Sequence, residues 1–145
     1  MSFAGALLML GGCGQGGDAD PAEAGQGGWG IPAGIYGNVT TSAESGEMAG
    51  VELRLDRGSE SETVEIILCD GVCDKVATRP LRRGLNGVSF TLPTRGATAD
   101  VLIQPGGPDA VIFNIGGIDR LRTERLIRME RELGLAAGRS GSALE

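Results

Sequence analysis

The stretch VELRLDRGSESETVEIIL, residues 51–68, decides the fold of this 145-residue chain. Apolar side chains occupy every second position on both sides of an Arg57-Gly58 turn signal; they are Val51, Leu53, Leu55, Val64, Ile66 and Leu68. The positions between them are mostly charged or hydroxyl-bearing. Such alternation is typical of a β-strand with one buried face and one solvent face. The stretch therefore predicts two neighbouring strands joined by a tight turn.

The same alternation recurs from residue 34 onward, with turn signals such as Asn86-Gly87 between the apolar runs. Strands are predicted over residues 34–41, 49–57, 62–69, 73–81, 87–93, 98–104 and 109–115. The connections are too short for the helical crossovers that parallel strands require. We therefore predict a mainly β fold: a small antiparallel meander of about seven or eight strands that closes as an up-and-down barrel, or else a two-sheet sandwich.

The segment 119–133 fits two structures. Oppositely charged side chains at i,i+4 spacing favour a helix with Gly134 as its C-cap; they are Arg120, Glu124, Arg128 and Glu132. Side chains of one strand parity favour a last strand instead; they are Leu121, Thr123, Ile127 and Met129. The β domain with this segment spans 34–133, and residues 134–145 are predicted to be a flexible tail.

The N-terminal segment has an apolar run, Phe3 to Leu10, that is too short to span a bilayer. It leads into Leu10-Gly11-Gly12-Cys13, which resembles the lipobox of bacterial lipoproteins. The resemblance implies that residues 1–12 are a signal peptide and that Cys13 is acylated after cleavage. Acyl chains on Cys13 would form a firm membrane anchor.

Residues 13–33 are rich in glycine and acidic side chains, with few apolar ones. Such a composition predicts a flexible tether between the lipidated cysteine and the folded domain. In the sorting pattern of Gram-negative lipoproteins, Asp after the cysteine favours the inner membrane, and here Gly14 follows it. The resemblance thus implies a bacterial cell-envelope protein at the outer membrane, facing the periplasm.

Two further cysteines, Cys69 and Cys73, flank an Asp-Gly turn signal. The turn could bring both thiols within bridging distance, and an exported protein meets an oxidising compartment. A zinc site is disfavoured because the chain has no histidine and would lack ligands. A redox pair usually has two intervening residues rather than three. We predict a structural disulfide, and no cofactor or metal.

The charge distribution bears on the partner. The formal net charge is −6, and all 13 Lys and Arg residues lie from Arg54 onward, where acidic residues balance them. Without a basic excess and with only 3% aromatic residues, the chain lacks the usual means of binding nucleic acid. The absence of histidine removes the commonest general base. We therefore predict neither a nucleic-acid-binding protein nor an enzyme.

Two aromatic residues lie where the first strand begins. The tripeptide Gly27-Gly28-Trp29 resembles the Gly-x-Trp signature of lipocalins, in which the tryptophan plugs the base of the barrel. Tyr36 could fill the same place. The alternative for both residues is ordinary core or rim packing.

A basic cluster near the fourth predicted strand comprises Lys75, Arg79, Arg82 and Arg83. One interpretation is a binding patch for phospholipid headgroups, acidic glycans or an acidic partner. The other is a solvated strand edge, where cations prevent unwanted pairing.

The function class predicted from these features is a non-catalytic binding module, tethered to the membrane and contacting an envelope protein or polymer through a strand edge or loop rim. The alternative is a carrier that holds a small apolar ligand in a calycin-like barrel.

Overall fold

The computed structural model describes residues 30–58, 61–73, 75–94, 96–117 and 121–141. The predicted signal peptide, Cys13, Trp29 and most of the predicted tether lie outside these residues. Among the residues that the structure describes, no helix has the length and apolar character needed to cross a bilayer.

Ten strands and one helix occupy the described residues. The strands are β1 (Gly34–Gly37), β2 (Thr40–Thr41), β3 (Met48–Arg57), β4 (Glu62–Cys73), β5 (Ala77–Pro80), β6 (Arg82–Gly84), β7 (Gly87–Thr94), β8 (Ala97–Pro105), β9 (Ala110–Gly116) and β10 (Leu121–Met129). The helix α1 spans Gly134–Gly141.

All ten strands belong to one antiparallel sheet with the order β5-β4-β3-β1-β10-β9-β8-β7-β6, and β2 pairs with β3. The two ends of this order, β5 and β6, are separated in the chain by Leu81 alone. One short segment, Ala77–Gly84, thus pairs first with β4 and then with β7, and it brings the sheet almost to closure as a barrel.

The predicted fold class, a mainly β antiparallel barrel, is confirmed, but the strand count is ten rather than seven or eight. The predicted strand 34–41 is divided into β1 and β2 after Gly37. The Asn38 amide still donates to the Val51 carbonyl at 3.0 Å, but the return bond goes to the Asn38 side chain. Its Oδ1 atom accepts a hydrogen bond of 2.8 Å from the Val51 amide. The predicted strand 73–81 is shorter, as β5, and the additional β6 follows it.

The barrel interior is filled by the alternating apolar side chains. Fifteen buried residues form this core; they are Ile31, Tyr36, Val51, Leu53, Leu55, Val64, Ile66, Val88, Phe90, Leu92, Val101, Ile103, Val111, Phe113 and Leu126. Branched aliphatic side chains predominate, which is the interior expected of a narrow barrel. Burial of these side chains is the main source of stability.

The closing segment Ala77–Gly84 forms the seam of the barrel, where the sheet meets itself. A hydrogen bond and an ion pair join this segment to β4 at one end of the barrel. The Leu81 amide of the closing segment donates to the Glu62 carbonyl at 3.0 Å. Arg83 of β6 holds the Glu62 carboxylate of β4 through both its Nε and Nη2 atoms. This hydrogen bonding lowers the pKa of Glu62 below its usual range.

The C-terminal region decides one open alternative and corrects one prediction. Residues 121–129 are the strand β10 and not a helix, because this segment fills the place between β1 and β9. Two of the charged side chains that suggested a helical ladder have partners outside it: Glu132 pairs with Arg54 and Arg139, and Arg128 donates to the Ala33 carbonyl. Gly134 does not end a helix; it begins α1 inside the region predicted as a flexible tail.

A buried carboxylate fixes the start of α1. Glu52 of β3 lies on the outer face of the barrel yet has 0% of its surface exposed. Its two oxygens accept hydrogen bonds from three backbone amides: Leu133 at 3.0 Å, Gly134 at 2.9 Å and Leu135 at 3.2 Å. These are the amides that a helix leaves unpaired at its N-terminus, where the helix dipole also favours an anion. Glu52 therefore caps the helix from a different element.

A second, smaller core lies between α1 and the sheet. Its buried members are Val39, Ile67, Cys69 and Leu135. A larger residue at position 134 would crowd this core, since an added Cβ atom would lie 3.1 Å from the Ile67 Cγ2 atom and 3.2 Å from the Cys69 Sγ atom, and these neighbours would have to shift by a few tenths of an ångström. Sequence periodicity predicts that the outer face of β4 is exposed to solvent. In the structure α1 packs on this face, and the two form the second core.

We predict that Glu52→Gln destabilises the protein by about 2 kcal/mol, the scale of hydrogen bonds to a charged group. An amide offers one acceptor where the carboxylate offers two, and its NH₂ group would face other donors. Urea unfolding measures the change. The matched control is Glu44→Gln, an exposed turn residue, which should stay within about 0.5 kcal/mol of the wild type. Equal midpoints for Glu52→Gln and the wild type would contradict the capping role.

Candidate functional site

The two halves of the barrel differ in what covers their outer face. Helix α1 packs against β3 and β4. On β7, β8, β9 and β10 the outer face carries a groove of about 530 Å³. The groove is lined by Arg82, Ser89, Phe90, Thr91, Asp100, Val101, Leu102, Gln104, Asn114, Gly116 and Leu121.

Strand register explains why these residues meet. One row across the sheet pairs Arg82 with Ser89, Ser89 with Leu102, Leu102 with Asn114 and Asn114 with Thr123. The next row pairs Thr91 with Asp100, Asp100 with Gly116 and Gly116 with Leu121. These positions alternate with the core positions, so their side chains lie on the outer face.

Gly116 creates a depression in the groove floor. It stands between Asp100 and Leu121 in its row and contributes no side chain there. An added Cβ atom would lie 3.9 Å from the Asp100 carbonyl oxygen and 4.0 Å from the Leu121 Cδ1 atom, which is ordinary contact. Gly116 is not among the glycines with positive φ. A larger residue would thus fit the backbone and fill the groove.

A chain of hydrogen bonds orients the polar side chains beside the groove. Thr123 Oγ1 donates to Asn114 Oδ1 at 2.8 Å, and Asn114 Nδ2 donates to Gln104 Oε1 at 3.2 Å. Apolar surface lies beside this chain, because Leu102 is 36% exposed and Leu121 is 73% exposed. Fixed amides next to exposed apolar side chains can bind a ligand by hydrogen bonding and by burial together.

The same arrangement offers little for catalysis. The hydroxyls of Ser89 and Thr91 would need a base to act as nucleophiles, and the chain has no histidine. Within the described ranges, no three acidic or cysteine side chains converge as metal ligands would.

Comparison of the chain with family models, with curated proteins and with solved structures finds no match. The site must therefore be interpreted from its own geometry.

The four residues of the predicted basic patch have different surroundings. Arg82 lines the outer groove. Arg83 is held by Glu62 at the seam, and Arg79 donates to the Thr78 carbonyl at 2.7 Å. Lys75 lines a separate, smaller cavity beside β4 and β7. Only Arg82 of the four lies in the outer groove, so the patch as a unit is not the site that the geometry favours.

Tyr36, the predicted barrel plug, is buried in the core and its hydroxyl donates to the Pro32 carbonyl at 2.8 Å. Ile31 is buried in the same core, and its carbonyl accepts a hydrogen bond of 2.9 Å from Arg57. The buried core thus includes Ile31, which lies inside the predicted tether 13–33. The apolar side chain of Ile31 explains the difference, since its burial stabilises the fold.

The Cys69 and Cys73 sulfur atoms lie 2.13 Å apart, at disulfide distance, in agreement with the prediction. Their Cα atoms are only 4.0 Å apart although three residues lie between them in sequence. The chain therefore folds back here, at Gly71 with a φ of +82°. Closure of so short a loop stabilises the fold by about 2 kcal/mol in the chain-entropy model.

Sequence analysis missed both the groove and the role of Glu52. The groove residues occupy outward strand positions, which alternation predicts only as a solvent face. Leu102 and Leu121 are apolar residues at such outward positions, and they are the signal that could have marked this face. For Glu52 the alternation predicts exposure, and only the distant helix start reveals otherwise.

Titration of Tyr36 tests its burial. Burial raises its pKa, the Arg128 charge partly opposes this, and the Asp109 charge adds to it. Because the folded state favours the neutral phenol, the resulting stability is fully present below the unfolded pKa near 10 and is lost as pH rises through the folded pKa. The chain has one tyrosine, so phenolate absorbance reports it alone. We expect a higher midpoint in folded than in urea-unfolded protein; coinciding midpoints would contradict the buried position.

Proposed function

We propose that the protein is a non-catalytic binding module of the bacterial cell envelope, anchored to the membrane through a lipidated Cys13. In this proposal the outer groove on β7–β10 is the surface that contacts an envelope protein or polymer. The groove is the single observation that carries the binding role. The resemblance of Leu10-Gly11-Gly12-Cys13 to a lipobox carries the location.

The chemistry of the groove suits an extended partner better than a small buried ligand. It is an open depression whose rows of side chains run across neighbouring strands. It offers a guanidinium from Arg82, a carboxylate from Asp100 and the oriented amides of Gln104 and Asn114. Such groups can bond to peptide or sugar groups spaced along a chain. The exposed Leu102 and Leu121 add apolar contact.

The alternative, a carrier with an apolar ligand inside the barrel, has less support. Fifteen buried side chains occupy the core, among them the large side chains of Tyr36 and Phe113. A ligand in the barrel centre would have to displace them. Interiors at normal packing density admit such displacement only at a cost.

An enzymatic role has the least support. The chain has no histidine, and two of its three cysteines lie at disulfide distance from each other. In this proposal the third cysteine carries the lipid. The groove hydroxyls therefore lack the base that nucleophilic catalysis requires.

The anchor is tested by a Cys13→Ser variant expressed in a Gram-negative host. We expect wild-type protein in the membrane fraction, with an intact mass that begins at Cys13 and includes acyl chains. We expect the variant, which has no acyl acceptor, in the soluble fraction. An unacylated wild-type chain would refute the anchor, while leaving the groove proposal to its own test.

The groove is tested by filling it. We expect that Gly116→Val abolishes partner binding, because the valine side chain would occupy the depression and its β-branched shape suits a strand. Gly117→Ala is the matched control, since nothing lies within 4 Å of its added Cβ atom and it does not line the groove. Thermal unfolding of both variants should show that the fold is retained.

Binding is measured by photo-crosslinking in cells of the organism that encodes the chain. A photoreactive residue replaces Leu121 in the groove or, as the negative control, Leu85, which is fully exposed outside the groove. We expect one discrete adduct from position 121. Its yield should fall at least about fivefold with Gly116→Val and should not change with Gly117→Ala. The proposal that the groove is the binding surface would be overturned if the adduct formed equally from position 85, or if Gly116→Val did not change its yield.

A further inference from the structure

The barrel wall has a gap beside the closing segment. Strand β5 pairs with β4 only over Thr63–Ile66, although β4 continues to Cys73. Strand β6 pairs with β7 only over Gly87–Ser89, although β7 continues to Thr94. Past these points the two edges have no further strand pairing among the described residues. Closure is thus complete at one end of the seam and incomplete at the other.

A cavity of about 120 Å³ lies at this gap. It is lined by Ile66, Leu68, Lys75, Ala77, Leu92, Pro93 and Thr94. Ile66 and Leu92 belong to the buried core, and Leu68 and Ala77 are partly buried against it. The cavity is therefore an apolar slot that opens from the core toward the surface. We call it the seam cavity.

The backbone at the gap disfavours an added peptide strand. Pro93 lies on the β7 edge and has no amide hydrogen to donate. Proline on an edge strand interrupts the ladder that a further strand would need. The side chains, rather than the backbone, determine what the seam cavity can hold.

Among the described residues that line the seam cavity, the one charged side chain is a cation. Lys75 is the only lysine of the chain, and it is exposed. The ion pairs of the neighbouring β4 carboxylates involve arginines: Glu62 pairs with Arg83, and Glu65 pairs with Arg54 and Arg139. Lys75 makes no ion pair with any of the described residues. An ammonium beside an apolar slot complements a ligand that joins an anion to a hydrocarbon chain.

We propose that the seam cavity binds the carboxylate of a fatty acid, with the head group on Lys75 and the adjoining part of the chain between β4 and β7. The cavity volume corresponds to about four water molecules at roughly 30 Å³ each. It therefore suits a short or medium straight chain rather than a fused-ring ligand. This site lies away from the outer groove and does not depend on the proposed function.

The test is calorimetric titration of the full chain with Cys13→Ser, oxidised, using sodium octanoate as the probe. We expect saturable binding to one site. Octan-1-ol, which keeps the chain without the charge, and acetate, which keeps the charge without the chain, should each bind at least about tenfold more weakly. No octanoate binding, or equal binding of either analogue, would overturn the proposal.

Variants identify the site. Lys75→Gln should weaken octanoate binding at least about tenfold, and Lys75→Arg should restore it to within about threefold of the parent. Ala77→Leu should abolish binding by filling the seam cavity, whereas Ala136→Leu, on the exposed surface of α1, should not change it. Thermal unfolding checks that each variant folds. If the Lys75 variants bind as the parent does, octanoate is held elsewhere and the assignment is wrong.

Two further experiments distinguish the fatty-acid site from a membrane-binding surface and from the outer groove. Vesicles of phosphatidylglycerol, which present an anionic headgroup on a bilayer, should not compete with octanoate for a site that takes single chains. Competition by the vesicles would replace the fatty acid with a membrane surface and overturn the proposal. Gly116→Val should leave octanoate binding unchanged, so that a failure of the groove and a failure of the seam cavity are distinguishable.

Discussion

The outer layer of this protein depends on the carboxylate of Glu52. A buried charge without partners would be very costly, and among the described residues the amides at the start of α1 supply the partners. With α1 beginning at Gly134, Leu135 is buried together with Ile67 and Cys69, and Arg139 reaches Glu65 and Glu132. The second core and the ion pairs of Arg139 therefore depend on the helix start that Glu52 caps.

Because α1 packs against β3 and β4, the two halves of the barrel have different outer surfaces. On β3 and β4 the outer face is occupied by α1 and serves stability. On β7 to β10 the outer face holds polar and apolar side chains together around Gly116, with no helix of the described region packed on it. The barrel core is common to both halves, so a substitution in the groove can change that surface while it leaves most of the packing intact.

Sequence periodicity predicted the strands well because each needs only an alternating apolar face, as in Val51, Leu53 and Leu55. It predicted the class of sheet, the turn at Gly71 and the cysteine pair. It could not decide residues 119–133, because the charge spacing satisfied a helical ladder while Leu121, Thr123 and Ile127 shared one strand parity. The pairing of β10 with both β1 and β9 resolved the ambiguity, and that pairing is non-local. Sequence periodicity predicted neither the capping role of Glu52 nor the groove for the same reason: each is defined by residues far apart in the chain.

The neighbours of β1 have a consequence for how the molecule is made. Strand β1 is the first strand of the chain described, and it lies between β3 and the last strand, β10. A chain that emerges N-terminus first can form the β3–β4 hairpin early, but one side of β1 stays without its ladder until residues 121–129 have arrived. Loop closure over so long a separation is entropically slow. Completion of the barrel thus has to wait until residues 121–129 are available to pair with β1.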